Sequence, residues 1–302
     1  PNFGSDSNRN PFALLTVSTQ EIKNMAEVTV AQISKLRQQT SAGMMDCKKA
    51  LTESGGDHDA AVDWLRKKGT ATAEKKATRA TSEGIISHHI LPGAKAGILL
   101  EVNCETDFVG KNESFQNLCG GFAQSLLEDP NTDLEARRTT AVAEVGENIV
   151  IQRFGRLDVA DHGAVAAYIH HGAKVGVLVQ VSTGKEATAE SEDFKSLLRD
   201  ITLQIAAASP EAVDRTSIDP ELIAKEKEIA AEQFKDKPAQ AIEKIVEGKL
   251  EKHFSTVCLV DQAFVKQGDL AVKDHIATTA KALDDTITVD AFLRYQVGET
   301  QE

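Results

Sequence analysis

One ten-residue segment occurs twice in this chain, and that repetition restricts the fold more than any other feature of the sequence. Gly93-Ala94-Lys95-Ala96-Gly97-Ile98-Leu99-Leu100-Glu101-Val102 returns 79 positions later as Gly172-Ala173-Lys174-Val175-Gly176-Val177-Leu178-Val179-Gln180-Val181. Phe115 falls on Phe194 at the same offset. Each copy places Ile, Val and Leu runs around a glycine-rich turn, the pattern of a β-hairpin. Apolar residues at helical spacing follow: Phe115, Leu118, Phe122 and Leu126 in the first copy, then Phe194, Leu197, Leu198, Ile201 and Ile205 in the second. The expected fold class is α+β, with two half-domains related by pseudo-symmetry, the first over 85–160 and the second over 161–302.

The flanking segments differ in texture. Between Val28 and Gly69 the pattern predicts three short helices: one striped by Val30, Ile33 and Leu36, a second from Met44 through Leu51, and a third carrying Ala60, Ala61, Trp64 and Leu65. Asp57 is placed to cap the third helix. Arg66-Lys67-Lys68 falls in its expected last turn, with Gly69 as its stop. The small module spans 25–69. Residues 70–84 read as a linker or a solvated helix. From Pro220 to Thr256, Leu222, Ile223, Ile229, Ala230 and Phe234 form one stripe and Ile242, Ile245, Val246 and Leu250 another, separated by Lys235-Asp236-Lys237-Pro238. That predicts an antiparallel helical arm inserted in the second half-domain at about 220–256. Strand-like segments at Ile287–Val289 and Leu293–Val297 are available to complete the second sheet. Residues 1–24 precede a Met25-Ala26-Glu27 that reads like a start, and they are expected to be an extension outside the fold.

Charge narrows the partners. With 34 Lys and Arg against 46 Asp and Glu, the net charge is −12, which disfavours a phosphate backbone and points to a protein partner, not nucleic acid. Cys47, Cys104, Cys119 and Cys258 are dispersed, without the paired spacing of a zinc cage, and suit a reducing compartment. No apolar run is long enough to cross a bilayer, so no membrane partner is expected.

The repeat also acts as an internal control. What both copies share is most simply structural, whereas what one copy has alone is a candidate for function. Phe115 and Phe194 are therefore assigned to the core. Asp107-Phe108-Val109-Gly110-Lys111 is matched by Glu186-Ala187-Thr188-Ala189-Glu190, so the aromatic belongs to the first copy alone. Two readings stand for Phe108: an exposed anchor for a partner, or an extension of the helix stripe through 108, 115 and 122. His88-His89 and His170-His171 are adjacent pairs that on a strand point to opposite faces and do not chelate one metal. His171, at the turn into the second repeat, is a candidate contact. Met44 and Met45 open a helix, where one of two neighbours faces outward and suits adaptable contacts. No nucleophile elbow, Walker loop or dinucleotide fingerprint occurs.

With these residues in view, Leu36-Arg37-Gln38-Gln39-Thr40-Ser41-Ala42-Gly43-Met44-Met45-Asp46-Cys47-Lys48-Lys49-Ala50-Leu51 resembles the N-terminal signature of the elongation factor Ts family. Thr106-Asp107-Phe108-Val109-Gly110-Lys111-Asn112 resembles its second signature, which commonly has Ala where this chain has Gly110. His171-Gly172-Ala173-Lys174-Val175-Gly176-Val177-Leu178 is a third match. The resemblance runs from about Met25 to Val297. It implies a ubiquitin-associated-like N-terminal module, two related α+β halves and a coiled-coil arm. It also implies a translation factor, not an enzyme, that binds elongation factor Tu carrying GDP and promotes GDP release. Such a factor needs no cofactor of its own and acts on the GDP and Mg²⁺ of its partner. By the same resemblance, Thr106, Asp107, Phe108 and Val109 displace that Mg²⁺, with Phe108 wedged between helices of the GTPase's nucleotide domain. Met44, Met45 and His171 make further partner contacts. The implied location is the bacterial cytoplasm, or an organelle if residues 1–24 are a native extension. Some relatives continue into an extra C-terminal helix, and no contact of that helix is carried over. The alternative is a ubiquitin-associated-like binding module without exchange activity.

Overall fold

The computed structural model of the chain describes residues 28–40, 42–234 and 238–299. Met25, Ser41, the Lys235-Asp236-Lys237 break and the side chains of Leu222 and Ala230 lie outside the described residues. The described chain is α+β and divides into two compact units. One takes the residues up to Lys76 together with Thr139–Gly146; the other takes Ala77–Arg138 and the chain from Glu147 onward.

In the first unit, α1 (Val30–Thr40), α2 (Met44–Glu53) and α3 (His58–Lys76) bury Ile33, Leu36, Cys47, Ala50, Leu51 and Ala61 in one cluster. Asp57 Oδ1 accepts from the Ala60 amide at 2.8 Å, capping α3 as its position implies. Val30 departs from the expected stripe: as the first residue of α1 it is 80% exposed. The stop expected at Gly69 is also corrected, because α3 runs on to Lys76 and its last-turn cations are Lys75 and Lys76. Gly69 is buried, and a methyl added there would stand 3.7 Å from the Thr139 carbonyl oxygen. Packing against 139–146 outweighs the roughly 1 kcal/mol that a mid-helix glycine costs. Residues 70–76 are therefore helix and not linker, and Glu83 and Gly84 already belong to a strand.

The second unit opens with β1 (Glu83–Ile90), β2 (Ala96–Cys104), the short α4 (Asp107–Gly110) and α5 (Glu113–Glu128). Next come α6 (Glu135–Val145), part of which belongs to the first unit, and β3 (Ile149–Asp158). The same series then recurs as β4 (Gly163–Ile169), β5 (Val175–Thr183), α7 (Glu186–Glu190) and α8 (Glu192–Ala208). After α9 (Pro220–Gln233), α10 (Ala239–Val257), β6 (Ala263–Phe264) and β7 (Gln267–Ala271), the chain closes with α11 (Val272–Ala282) and β8 (Ile287–Gln296). Two antiparallel sheets result, ordered β1-β2-β3 and β4-β5-β8, beside the small β6-β7 pair. Each large sheet carries a bulge, at Glu101/Val102 and at Gln180/Val181, again 79 positions apart. Ile149 and Ile287 open the third strands, 138 positions apart against 79 for the earlier elements, so 59 extra residues enter the second half. Those residues include α9 and α10, which pack on each other. Ile218, Ile223 and Leu250 lie against buried Phe254, Val257 and Cys258.

The backbone itself repeats. Gly93 and Ala94 have φ of 82° and 54°, and Gly172 and Ala173 have 85° and 55°. These left-handed pairs turn each hairpin. Contacts between the halves are reciprocal. The Ile86 amide donates to the Ala173 carbonyl and the Val165 amide to the Ala94 carbonyl, both at 2.7 Å. Lys174 Nζ reaches the Gly84 carbonyl at 2.9 Å, and Lys95 Nζ reaches that of Gly163 at 3.4 Å. Such exchange of equivalent partners is the signature of a two-fold interface, here within one chain. Ile86, Leu99, Val165, Leu178 and Tyr295 form the buried cluster shared by the two sheets. Phe194 heads the core beneath β5, and Phe115 is equally buried. Among the described residues no helix is long and apolar enough to cross a membrane.

Candidate functional site

Between β2 and α5 the chain must turn from strand to helix, and it does so through a single helical turn, α4. Thr106 stands at its N-cap with extended backbone (φ −127°, ψ 154°), and Asp107 begins the helix. The next residue projects outward: Phe108 is 80% exposed. A solvated Phe forgoes roughly 1.5–3 kcal/mol that burial would give. Its position is nevertheless well determined. Asn112 caps the following helix by accepting from the Ser114 amide at 2.8 Å, which breaks the helical path between Gly110 and Glu113. Phe108 therefore lies outside the stripe of Phe115 and Phe122, and the reading that placed it there is corrected. Val109 is half-buried and Gly110 is buried against Gly84 and Ile85 of β1.

Polar contacts hold this turn from both ends. Glu147 accepts from the amides of Glu105 and Thr106 at 3.0 Å each and from the Thr106 hydroxyl at 2.6 Å. Lys111 Nζ donates to Asp107 Oδ2 at 2.6 Å, which holds the Asp107 carboxyl below its ordinary range and the Lys111 ammonium above its own. Cys104, just inside the sheet, is pushed up to about 11 by burial, with the nearby Glu147 carboxylate adding to the shift. A neutral buried thiol of this kind is a packing group, not a nucleophile.

The second copy keeps the scaffold and omits the aromatic. Ala187 occupies the exposed place of Phe108, on α7, and Asp285 stands where Glu147 stands, accepting from the Lys185 amide at 2.9 Å. His171 is exposed in the turn between β4 and β5. That turn and α4 meet the same stretch of β1: Lys174 bonds Glu83 and the Gly84 carbonyl, Ala173 accepts from Ile86, and Gly110 sits over Gly84. Thr106, Asp107, Phe108, Val109 and the His171 turn are thus gathered at one end of the first sheet. Met44 and Met45 lie in the other unit, on the first turn of α2, and are 57% and 72% exposed. Both face outward, where one was expected to. His88 and His89 are on β1, and His170 and His171 follow β4. Among the described residues no group of three or more His, Cys, Asp or Glu is placed to hold a metal.

Sequence reasoning missed Glu147 and the part played by Lys174. The spacing carried the signal for Lys174, whereas that for Glu147 emerges only once the third strands are placed. Lys95 and Lys174 differ by the repeat offset, and Glu147 and Asp285 differ by the 138 positions that separate the third strands. The turn thus presents one solvated aromatic on a backbone held by Glu147 on one side and by the Asp107–Lys111 pair on the other.

The family model described as Elongation factor TS matches residues 105–299, a span that begins one residue before the Thr106 cap. A protein of Symbiobacterium thermophilum named Elongation factor Ts is 42% identical over 284 residues, covering 91% of this chain and 93% of its own length. Namesakes from Nitratidesulfovibrio vulgaris and a Nitratiruptor species are 40% and 43% identical, each covering 90% of this chain and 96% and 93% of their own. On this evidence the chain belongs to the elongation factor Ts family.

Proposed function

We propose that this translation elongation factor carries out its family's exchange reaction by pressing Phe108 into the nucleotide domain of elongation factor Tu. Thr106 to Val109 displace the bound Mg²⁺ and loosen GDP so that GTP can rebind. The observation that carries this reading is the solvated Phe108 on a clamped turn, set against Ala187 at the equivalent place of the otherwise repeated half. His171, presented at the same sheet end, presses toward the phosphate-binding side. Met44 and Met45 meet another helix of the GTPase. The second half-domain grips a separate domain, with α9 and α10 as a projecting coiled-coil arm. The chain needs no cofactor of its own, performs no covalent chemistry and works in the bacterial cytoplasm. A binding role for the N-terminal helices alone would leave Phe108 without a task.

Magnitudes explain why so large a protein is used. The factor and GDP weaken each other's binding to the GTPase by one coupling free energy. A thousandfold loss of GDP affinity requires about 4 kcal/mol, more than the roughly 1.5–3 kcal/mol from burying one Phe. Contacts away from the nucleotide must supply the remainder. The test is release of fluorescent GDP from purified elongation factor Tu in excess unlabelled nucleotide. Acceleration that rises and saturates with this protein supports the reading, and an unchanged release rate contradicts it.

A further inference from the structure

We propose that Glu147 is a positioning residue for exchange, acting on the partner only through the Phe108 turn; this inference rests on the function proposed above. Thr106 occupies a helix N-cap, where a threonine hydroxyl ordinarily accepts from an amide of the first turn. Here its side chain makes no capping bond. The hydroxyl donates instead to Glu147 Oε1 at 2.6 Å, while Oε2 takes the amides of Glu105 and Thr106. Glu105 answers in kind: its Oε1 accepts from the Asn148 amide at 2.6 Å. Residues 105–106 and 147–148 are thereby locked to each other immediately before α4, and Phe108 is two residues further on.

The other half shows what the scaffold alone requires. There Asp285 accepts from the Lys185 amide and from the Thr188 side chain on α7, but Lys185 at the cap supplies no hydroxyl and the preceding Gly184 amide bonds the Thr286 carbonyl instead of the carboxylate. The additional bonds, from the Glu105 amide and the Thr106 hydroxyl, accompany the half that carries the aromatic. Charge-assisted hydrogen bonds of this kind are short and directional. An exposed side chain cannot be held by packing, so its direction must be set by the backbone beneath it. Glu147 sets that direction, so the turn meets the GTPase already in its working orientation and little ordering entropy is lost on contact.

The experiment is a double-mutant cycle in the fluorescent GDP release assay, with maximal rate and half-saturating factor concentration measured for each protein. Glu147→Ala and Phe108→Ala are each expected to lower the maximal rate roughly tenfold, equivalent to about 1.4 kcal/mol, with half-saturation within about twofold of the parent. The double variant is expected to be no slower than Phe108→Ala, because Glu147 has nothing left to position. Glu147→Gln, which keeps shape and removes only the charge behind these bonds, gives a smaller loss in the same direction and serves if Glu147→Ala fails to fold. Losses that multiply in the double variant, or a parental rate for Glu147→Ala beside a slow Phe108→Ala, would overturn this inference and leave the exchange reading standing. A parental rate for Phe108→Ala would overturn the exchange reading itself.

Discussion

Gly176→Ala is a direct test of how closely the two halves are pressed together. A Cβ at Gly176 would stand 2.3 Å from Ile86 Cγ2, 3.1 Å from Ile86 Cβ and 2.9 Å from Ile169 Cδ1. Ile86 cannot swing clear, because its own Cβ is within the crowded distance and its branched side chain has few rotamers. The equivalent Gly97 faces a less crowded wall: Val165 Cγ1 at 2.9 Å, the end of the Leu178 side chain (Cδ1) at 3.1 Å and Ile90 Cγ1 at 3.3 Å. Overpacking of a buried interface costs about 1–3 kcal/mol. Gly176→Ala should therefore fall near the top of that range, and Gly97→Ala near the bottom. Urea unfolding measures this as a lower midpoint at unchanged slope. Ile86→Ala alone should cost about 2–5 kcal/mol by leaving a cavity, but combined with Gly176→Ala it should cost less than the sum by at least about 1 kcal/mol. A Gly176→Ala change below about 0.5 kcal/mol, or strict additivity in the pair, would refute the claim that the halves meet through these two positions.

Other outcomes follow from the same structure. Phe115→Ala and Phe194→Ala should each cost about 3–5 kcal/mol of stability, whereas Phe108→Ala should leave the urea midpoint within about 0.5 kcal/mol of the parent. Ser191→Ala removes the hydroxyl that accepts from the Phe194 amide at 3.2 Å and should cost about 1 kcal/mol in the same assay. Gly110→Ala should be tolerated or slightly stabilising by thermal unfolding, since the new methyl meets the Gly84 carbonyl oxygen at 3.4 Å and φ is not left-handed there. Burial raises the Cys104 thiol from its ordinary 9.0 to about 11. Its stabilisation is present in full below pH 9 and is lost as pH rises toward 11, because the unfolded chain ionises first. Alkylation by iodoacetamide at pH 9.5 should accordingly be slow in the native protein and fast in urea.

The repeat made the hairpin-and-helix units legible because strand and helix periodicities survive in each copy independently of the other. The 79-residue offset reappears in the turn dihedrals, the bulges and the helix starts. Where α3 ends was not legible. Gly69 and the preceding cations carry every local sign of a stop, and only packing against residues 70 positions further along overrides them. The exposure of Phe108 was half legible, since the internal control singled it out while its spacing to Phe115 allowed burial. The break that decides between them depends on Asn112 acting as a cap and not as a helical residue. The clamp by Glu147 was hidden for a different reason. A carboxylate in a chain with 46 of them has no local mark, and its partners lie 41 and 42 positions away.

The measurement that bears most directly on the account is the maximal rate of fluorescent GDP release from elongation factor Tu at saturating concentrations of the parent, Phe108→Ala and Phe115→Ala proteins. Phe108→Ala should remain folded and bound but release GDP roughly tenfold more slowly. Phe115→Ala should still reach the parental maximal rate, with its half-saturating concentration raised in proportion to the fraction of protein that has unfolded. A folded Phe108→Ala protein that exchanges as fast as the parent would contradict the role proposed for Phe108.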